Sequence, residues 1–97
     1  MSSDKKTEEF YKKLRVQLYE TTRWPSEYLY KFIVPTDQSK INQIEGLFNN
    51  LGAVITTKES GKGTYTSVSV NVDMKDPDTV IAKYKEVAEK VDGVISL

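Results

Sequence analysis

Lys58-Glu59-Ser60-Gly61-Lys62-Gly63-Thr64-Tyr65-Thr66-Ser67-Val68-Ser69-Val70 is the stretch that decides the fold. Four turn-forming residues, Ser60-Gly61-Lys62-Gly63, separate two β-prone runs, Ala53 to Glu59 and Thr64 to Met74. That spacing predicts an antiparallel hairpin, because glycine and serine satisfy the backbone demands of a tight reversal. The second run alternates. Val68, Val70, Val72 and Met74 point to one side, Tyr65, Ser67, Ser69 and Asn71 to the other. A strand of this kind belongs to a sheet with one covered face and one open face.

The flanking segments supply the cover. Tyr28-Leu29-Tyr30-Lys31-Phe32-Ile33-Val34 is aromatic and β-branched and stops at Pro35, which predicts a first strand. Tyr30, Phe32 and Val34 are expected beneath the helices, with Leu29, Lys31 and Ile33 on the open face. Ile41, Ile44, Leu47, Phe48 and Leu51 follow helical spacing, with Thr36, Asp37 or Ser39 as a cap and Gly52 past the end. Gly46 lies inside that helix, where a close approach to the sheet would explain it.

Asp76-Pro77-Asp78-Thr79 begins a second covering helix, with Asp76 as cap and proline at the first helical position. Val80, Ile81, Tyr84, Val87, Ala88 and Val91 are its expected inner face, and Val94 to Leu97 a last strand. The order β-α-β-β-α-β predicts an α+β, ferredoxin-like sandwich with a four-stranded antiparallel sheet.

An extra helix precedes it. Phe10, Leu14 and Leu18, with Tyr11 beside them, mark an amphipathic helix from about Thr7 to Tyr19, ending before Trp24-Pro25. Residues 1–23 are thus expected as a helical extension and residues 24–97 as the domain. Leu29, Ile33 and Tyr65 would form an apolar patch on the open face. The expected cover is the Phe10–Leu14–Leu18 stripe, or else a second chain.

Composition removes several classes of chemistry. Cysteine and histidine are absent, so disulfides, thiolate or imidazole metal sites and the usual nucleophilic triads are excluded. No metal or cofactor is expected. Fourteen basic residues balance fourteen acidic ones, which argues against a general nucleic-acid binder. No apolar run is long enough for a bilayer, so a cytoplasmic protein with no membrane partner is expected.

Individual motifs point the same way. Gly61-Lys62-Gly63-Thr64 leads into a strand rather than a helix and lacks the earlier glycine of a phosphate loop, so it is a hairpin turn. Asp73, Asp76 and Asp78 cluster at a strand–helix junction, where capping accounts for them better than metal binding does. Arg15 and Arg23 both precede the first strand, away from any strand–helix loop that could cradle a phosphate. Lys31, Lys58, Tyr65, Ser67 and Ser69 gather cations, hydroxyls and one aromatic on the open face. These five are the candidate site for a protein partner, self-association or a small anionic metabolite. Single-stranded RNA on the same face is the alternative, although one aromatic makes a weak platform.

Two segments carry a family resemblance. Trp24-Pro25-Ser26-Glu27-Tyr28-Leu29-Tyr30-Lys31-Phe32-Ile33 resembles the aromatic-Pro-x-x-aromatic-x-Tyr-Lys-hydrophobic first strand of the YbeD-like family of small bacterial proteins, also labelled lipoate regulatory protein-like. Lys58-x-Ser60-x-Lys62-Gly63-x-Tyr65-x-Ser67-Val68-Ser69 resembles that family's hairpin. The resemblance covers Trp24 to Leu97, and residues 1–22 are a longer extension than typical members carry. It implies a ferredoxin-like domain similar to ACT regulatory domains, with no catalytic residue and no cofactor. The turn after the first strand, Pro35-Thr36-Asp37-Gln38, lacks the glycine of the ACT effector site. A non-enzymatic regulatory or interaction module is the expectation.

Overall fold

The computed structural model describes residues 2–97, with side chains described from residue 6 onward. Helix α1 spans Ser2–Thr21, strand β1 Ser26–Pro35, and helix α2 Gln38–Phe48 with a 3-10 turn at Asn49–Leu51. Strands β2 (Val54–Glu59) and β3 (Tyr65–Met74) form the hairpin, followed by helix α3 (Pro77–Lys90) and strand β4 (Ile95–Ser96). The sheet order is β2-β3-β1-β4, antiparallel throughout. β4 is shorter than the expected Val94–Leu97, and α1 longer than Thr7–Tyr19.

Register sorts the side chains. Tyr30 lies opposite Val70 and Phe32 opposite Val68, so the aromatic side of β1 and the valine side of β3 share one face. That face is buried beneath α2 and α3, which contribute Ile44, Phe48, Val80, Tyr84, Val87 and Val91. The Tyr30 ring stacks on Phe32 at 5.6 Å and lies 5.1 Å from Phe48. Its hydroxyl is buried too and donates to the Val80 carbonyl at 2.9 Å, which removes the cost of an unpaired polar group.

The local signals act as their chemistry dictates. Asp37 caps α2 by accepting from the Ser39 amide at 2.9 Å, and Asp76 caps α3 by accepting from the Thr79 amide at 2.8 Å. The hairpin closes with the Ser60 amide on the Tyr65 carbonyl and the Gly63 amide on the Ser60 carbonyl, both 2.8 Å. Gly63 sits at φ +70°, where a side chain would be strained.

Three expectations need correction. First, Gly46 makes no close approach to the sheet: it is exposed, and a Cβ there would meet open space. Gly46→Ala therefore raises the unfolding free energy by about 1 kcal/mol, the helix-propensity difference. Urea denaturation checks this, and a destabilised variant would contradict open space at that site. Second, Ala88 is exposed at the outer side of α3 rather than buried in the core. Third, α1 does not cover the open sheet face. It lies against α3, on the opposite side of the molecule.

The reason is visible in α1 itself. Tyr11, Leu14 and Leu18 form its inner stripe, while Phe10 points outward and is 62% exposed. Spacing of three and four residues keeps a stripe centred on one helix face, whereas a strict four-residue step drifts around it. Polar contacts reinforce the placement. Asp78, at the start of α3, accepts from Arg15 Nε at 2.5 Å and from the Tyr19 hydroxyl at 2.9 Å. The Trp24 indole donates to the Leu18 carbonyl at 3.0 Å and ties the end of α1 to the approach to β1.

Candidate functional site

With α1 on the helical layer, the other face of the sheet is bare among the described residues. Cross-strand pairs on that face follow from the register. Lys31 of β1 lies opposite Ser69 of β3, which lies opposite Thr56 of β2. One row further, Ile33 lies opposite Ser67, Ser67 opposite Lys58, and Ile33 opposite Ile95 of β4. Tyr65 ends the face opposite Pro35. All five candidate residues from the sequence therefore share one surface: Lys31, Lys58, Tyr65, Ser67 and Ser69.

They line two adjoining open hollows. The more polar one, about 390 Å³, is bounded by Lys31, Thr56, Thr57, Lys58, Ser67 and Ser69. The more apolar one, about 190 Å³, is bounded by Ile33, Lys58, Glu59, Ser60, Tyr65 and Ser67. Lys58 and Ser67 are common to both. The Ser67 hydroxyl donates to the Lys58 carbonyl over 3.4 Å, and the Ser60 hydroxyl accepts from the Tyr65 amide at 3.2 Å. Neither Lys31 nor Lys58 takes part in any of the ion pairs among the described residues. Two free ammonium groups beside a row of hydroxyls offer donors to an anionic or carbonyl-bearing group. Ile33 and Tyr65 offer apolar contact next to it.

Sequence reasoning missed part of this surface. Val54 and Thr56 share it through β2, and Ile95 through β4. The signal was available for β2, because a hairpin that puts Ser67 on the open face also puts Lys58 and Thr56 there. The β4 contribution depended on a pairing between chain segments far apart in sequence.

A second concavity of about 430 Å³ lies between α1 and α3, with Tyr11, Lys12, Arg15, Asp78, Ile81 and Lys85 among its walls. Its charges are largely engaged. The hydrogen bonds from Arg15 and then Tyr19 hold the Asp78 carboxyl below the usual carboxylate range. The Lys85 ammonium sits 5.5 Å over the Tyr11 ring. Behind it, the Tyr28 and Tyr84 hydroxyls share a hydrogen bond of 2.8 Å. Burial, and after it that bond, push the Tyr84 phenol up and keep it neutral. This region joins α1 to the core.

The chain is similar to two solved structures of one domain. The crystal structure of the ACT domain from the GTP pyrophosphokinase of Chlorobium tepidum is 19% identical, with a TM-score of 0.53, covering 74% of this chain and 100% of that one. The solution NMR structure of that domain gives the same identity and TM-score, covering 73% of this chain and 86% of that one. The fold class is therefore an ACT-like, ferredoxin-like α+β domain. Residues 20–95 match the family described as "Protein of unknown function (DUF493)", and the chain belongs to that family, the one its first strand and hairpin resemble. No curated protein matches the chain.

Proposed function

We propose that the chain is a non-enzymatic regulatory or protein-interaction module that works through the open face of its sheet. One observation carries this: the face holding Lys31, Lys58, Tyr65, Ser67 and Ser69 stays uncovered although a twenty-residue helix was free to cover it. The similar solved domain is a part of a GTP pyrophosphokinase, which supports a regulatory role for the fold. No helix of the described residues is long and apolar enough to cross a membrane. RNA is the weaker occupant, because Tyr65 is the one aromatic on the face and the two lysines are offset by Glu27 and Asp73 there.

Amide chemical-shift mapping tests the site. Titration with amino acids, nucleotides, lipoate and a short single-stranded RNA is expected to move Lys31, Lys58, Ser67 and Ser69 for a ligand that binds. The double substitution Lys31→Glu, Lys58→Glu removes that response. Shifts confined to the groove between α1 and α3 would assign the working surface to the other side of the molecule.

A further inference from the structure

We infer that the open sheet face is the contact surface between two copies of this chain, stacked face to face with their strands running end for end. The inference rests on the proposal that this face is the working surface, and it names the partner.

Apolar exposure is the first ground. The described residues expose nine large hydrophobics, and five of them, Leu29, Val54, Tyr65, Ile95 and Leu97, lie on or at the rim of this face. Concentration on one face favours burial against another surface over scattered exposure. The one amphipathic helix outside the sandwich is already spent on α3, so none of the described helices covers this face.

Charge selects which chain. Glu27 and Asp73 stand directly opposite each other across β1 and β3 at one end of the face, and both are exposed. Like charges facing each other across a strand pair are unfavourable in an isolated sheet. Lys31 and Lys58 lie further along the same face, without a carboxylate partner. The two carboxylates sit at one end of the face, Lys31 at its middle and Lys58 toward the hairpin end. A polyanion would satisfy the lysines and repel the carboxylates. A second copy turned end for end brings each carboxylate pair toward the other copy's lysines, and a single surface complements itself, as a two-fold dimer requires.

Size sets the affinity. The face offers about fifteen side chains, fewer than the roughly 20–30 that each partner contributes to a stable interface. The dimer is therefore reversible, with a dissociation constant on the order of micromolar or weaker.

Sedimentation velocity of the full chain, from about 1 μM to about 1 mM, tests this. The expected result is a concentration-dependent shift from monomer to dimer. Glu27→Lys with Asp73→Lys gives all four of these cross-face positions a positive charge, and Lys31→Glu with Lys58→Glu gives all four a negative one. Each double variant alone dimerises at least about tenfold more weakly, while an equimolar mixture of the two restores the dimer. Leu29→Glu, a change at an exposed position, weakens the natural dimer without unfolding the chain. Amide spectra confirm the fold of every variant. A natural chain that is monomeric at every concentration overturns the inference, as does a dimer indifferent to both charge reversals. If the monomeric chain still shows open-face amide shifts with an added ligand, the pairing fails and the working surface stands. If neither association nor shifts occur on this face, both fall.

Discussion

Phe32→Ala lowers the unfolding free energy by about 3–5 kcal/mol, the usual cost of removing a buried aromatic ring. Phe32 is fully buried at the centre of β1. Its ring lies 5.6 Å from Tyr30, 6.2 Å from Phe48 and 6.1 Å from Tyr84, so the cavity is walled by three other rings. Rigid aromatics collapse poorly into such a space, and the upper part of that range applies. Small domains hold only about 5–15 kcal/mol in total, so the variant sits near the edge of folding. Leu29→Ala, on the opposite face of the same strand and 61% exposed, changes stability by about 0.5 kcal/mol or less. Urea denaturation of the two variants side by side checks the register of β1. Equal losses would mean that the two faces are not as unequal as the structure has them.

Removing residues 1–21 produces the second large effect. The deletion takes away three half-buried side chains, Tyr11, Leu14 and Leu18, and uncovers their partners near Tyr28, Ile81 and Tyr84. Half-burial of three such groups is worth roughly 2–4 kcal/mol, and the entropy of ordering a long helix returns part of it. The exposed Arg15–Asp78 pair adds little to that figure. A clear fall in the denaturation midpoint is expected, together with new binding of an apolar dye. The newly bared surface is on the helical layer, so association through the sheet is retained. Sheet-face association that appears, or becomes markedly stronger, only on deletion would place α1 where the sequence alone suggested.

That difference shows what was legible in the sequence. Alternation in Thr64 to Met74 determined which face of β3 is buried, because a pleated strand offers only two sides. The cap at Asp76-Pro77 and the turn at Ser60 to Gly63 were legible because each satisfies a local backbone need. The candidate lysines, serines and Tyr65 came together because hairpin register carries facing from one strand to the next. The docking of α1 was different. An amphipathic stripe states that a helix buries one face, and this fold offered it two apolar surfaces. The choice lay in Tyr11, Arg15 and Tyr19, whose partners Tyr84 and Asp78 are about sixty positions away or more. Ala88 was misassigned for the same reason, since α3 has apolar contacts on both its inner side and its α1 side.

The brevity of β4 has a consequence for β1. β4 pairs only with Phe32 and Ile33, and the Leu97 amide reaches the Lys31 carbonyl at 2.9 Å. The backbone of Lys31 therefore faces β4, and by alternation so do those of Leu29 and Glu27, where no strand lies alongside. Tyr28, Tyr30 and Phe32 turn their amides the other way, toward β3. Solvent deuterium can thus reach alternate amides in the first half of the central strand while their immediate neighbours stay locked until the whole sheet opens. One strand alternates, residue by residue, between amides held by β3 and amides open to solvent.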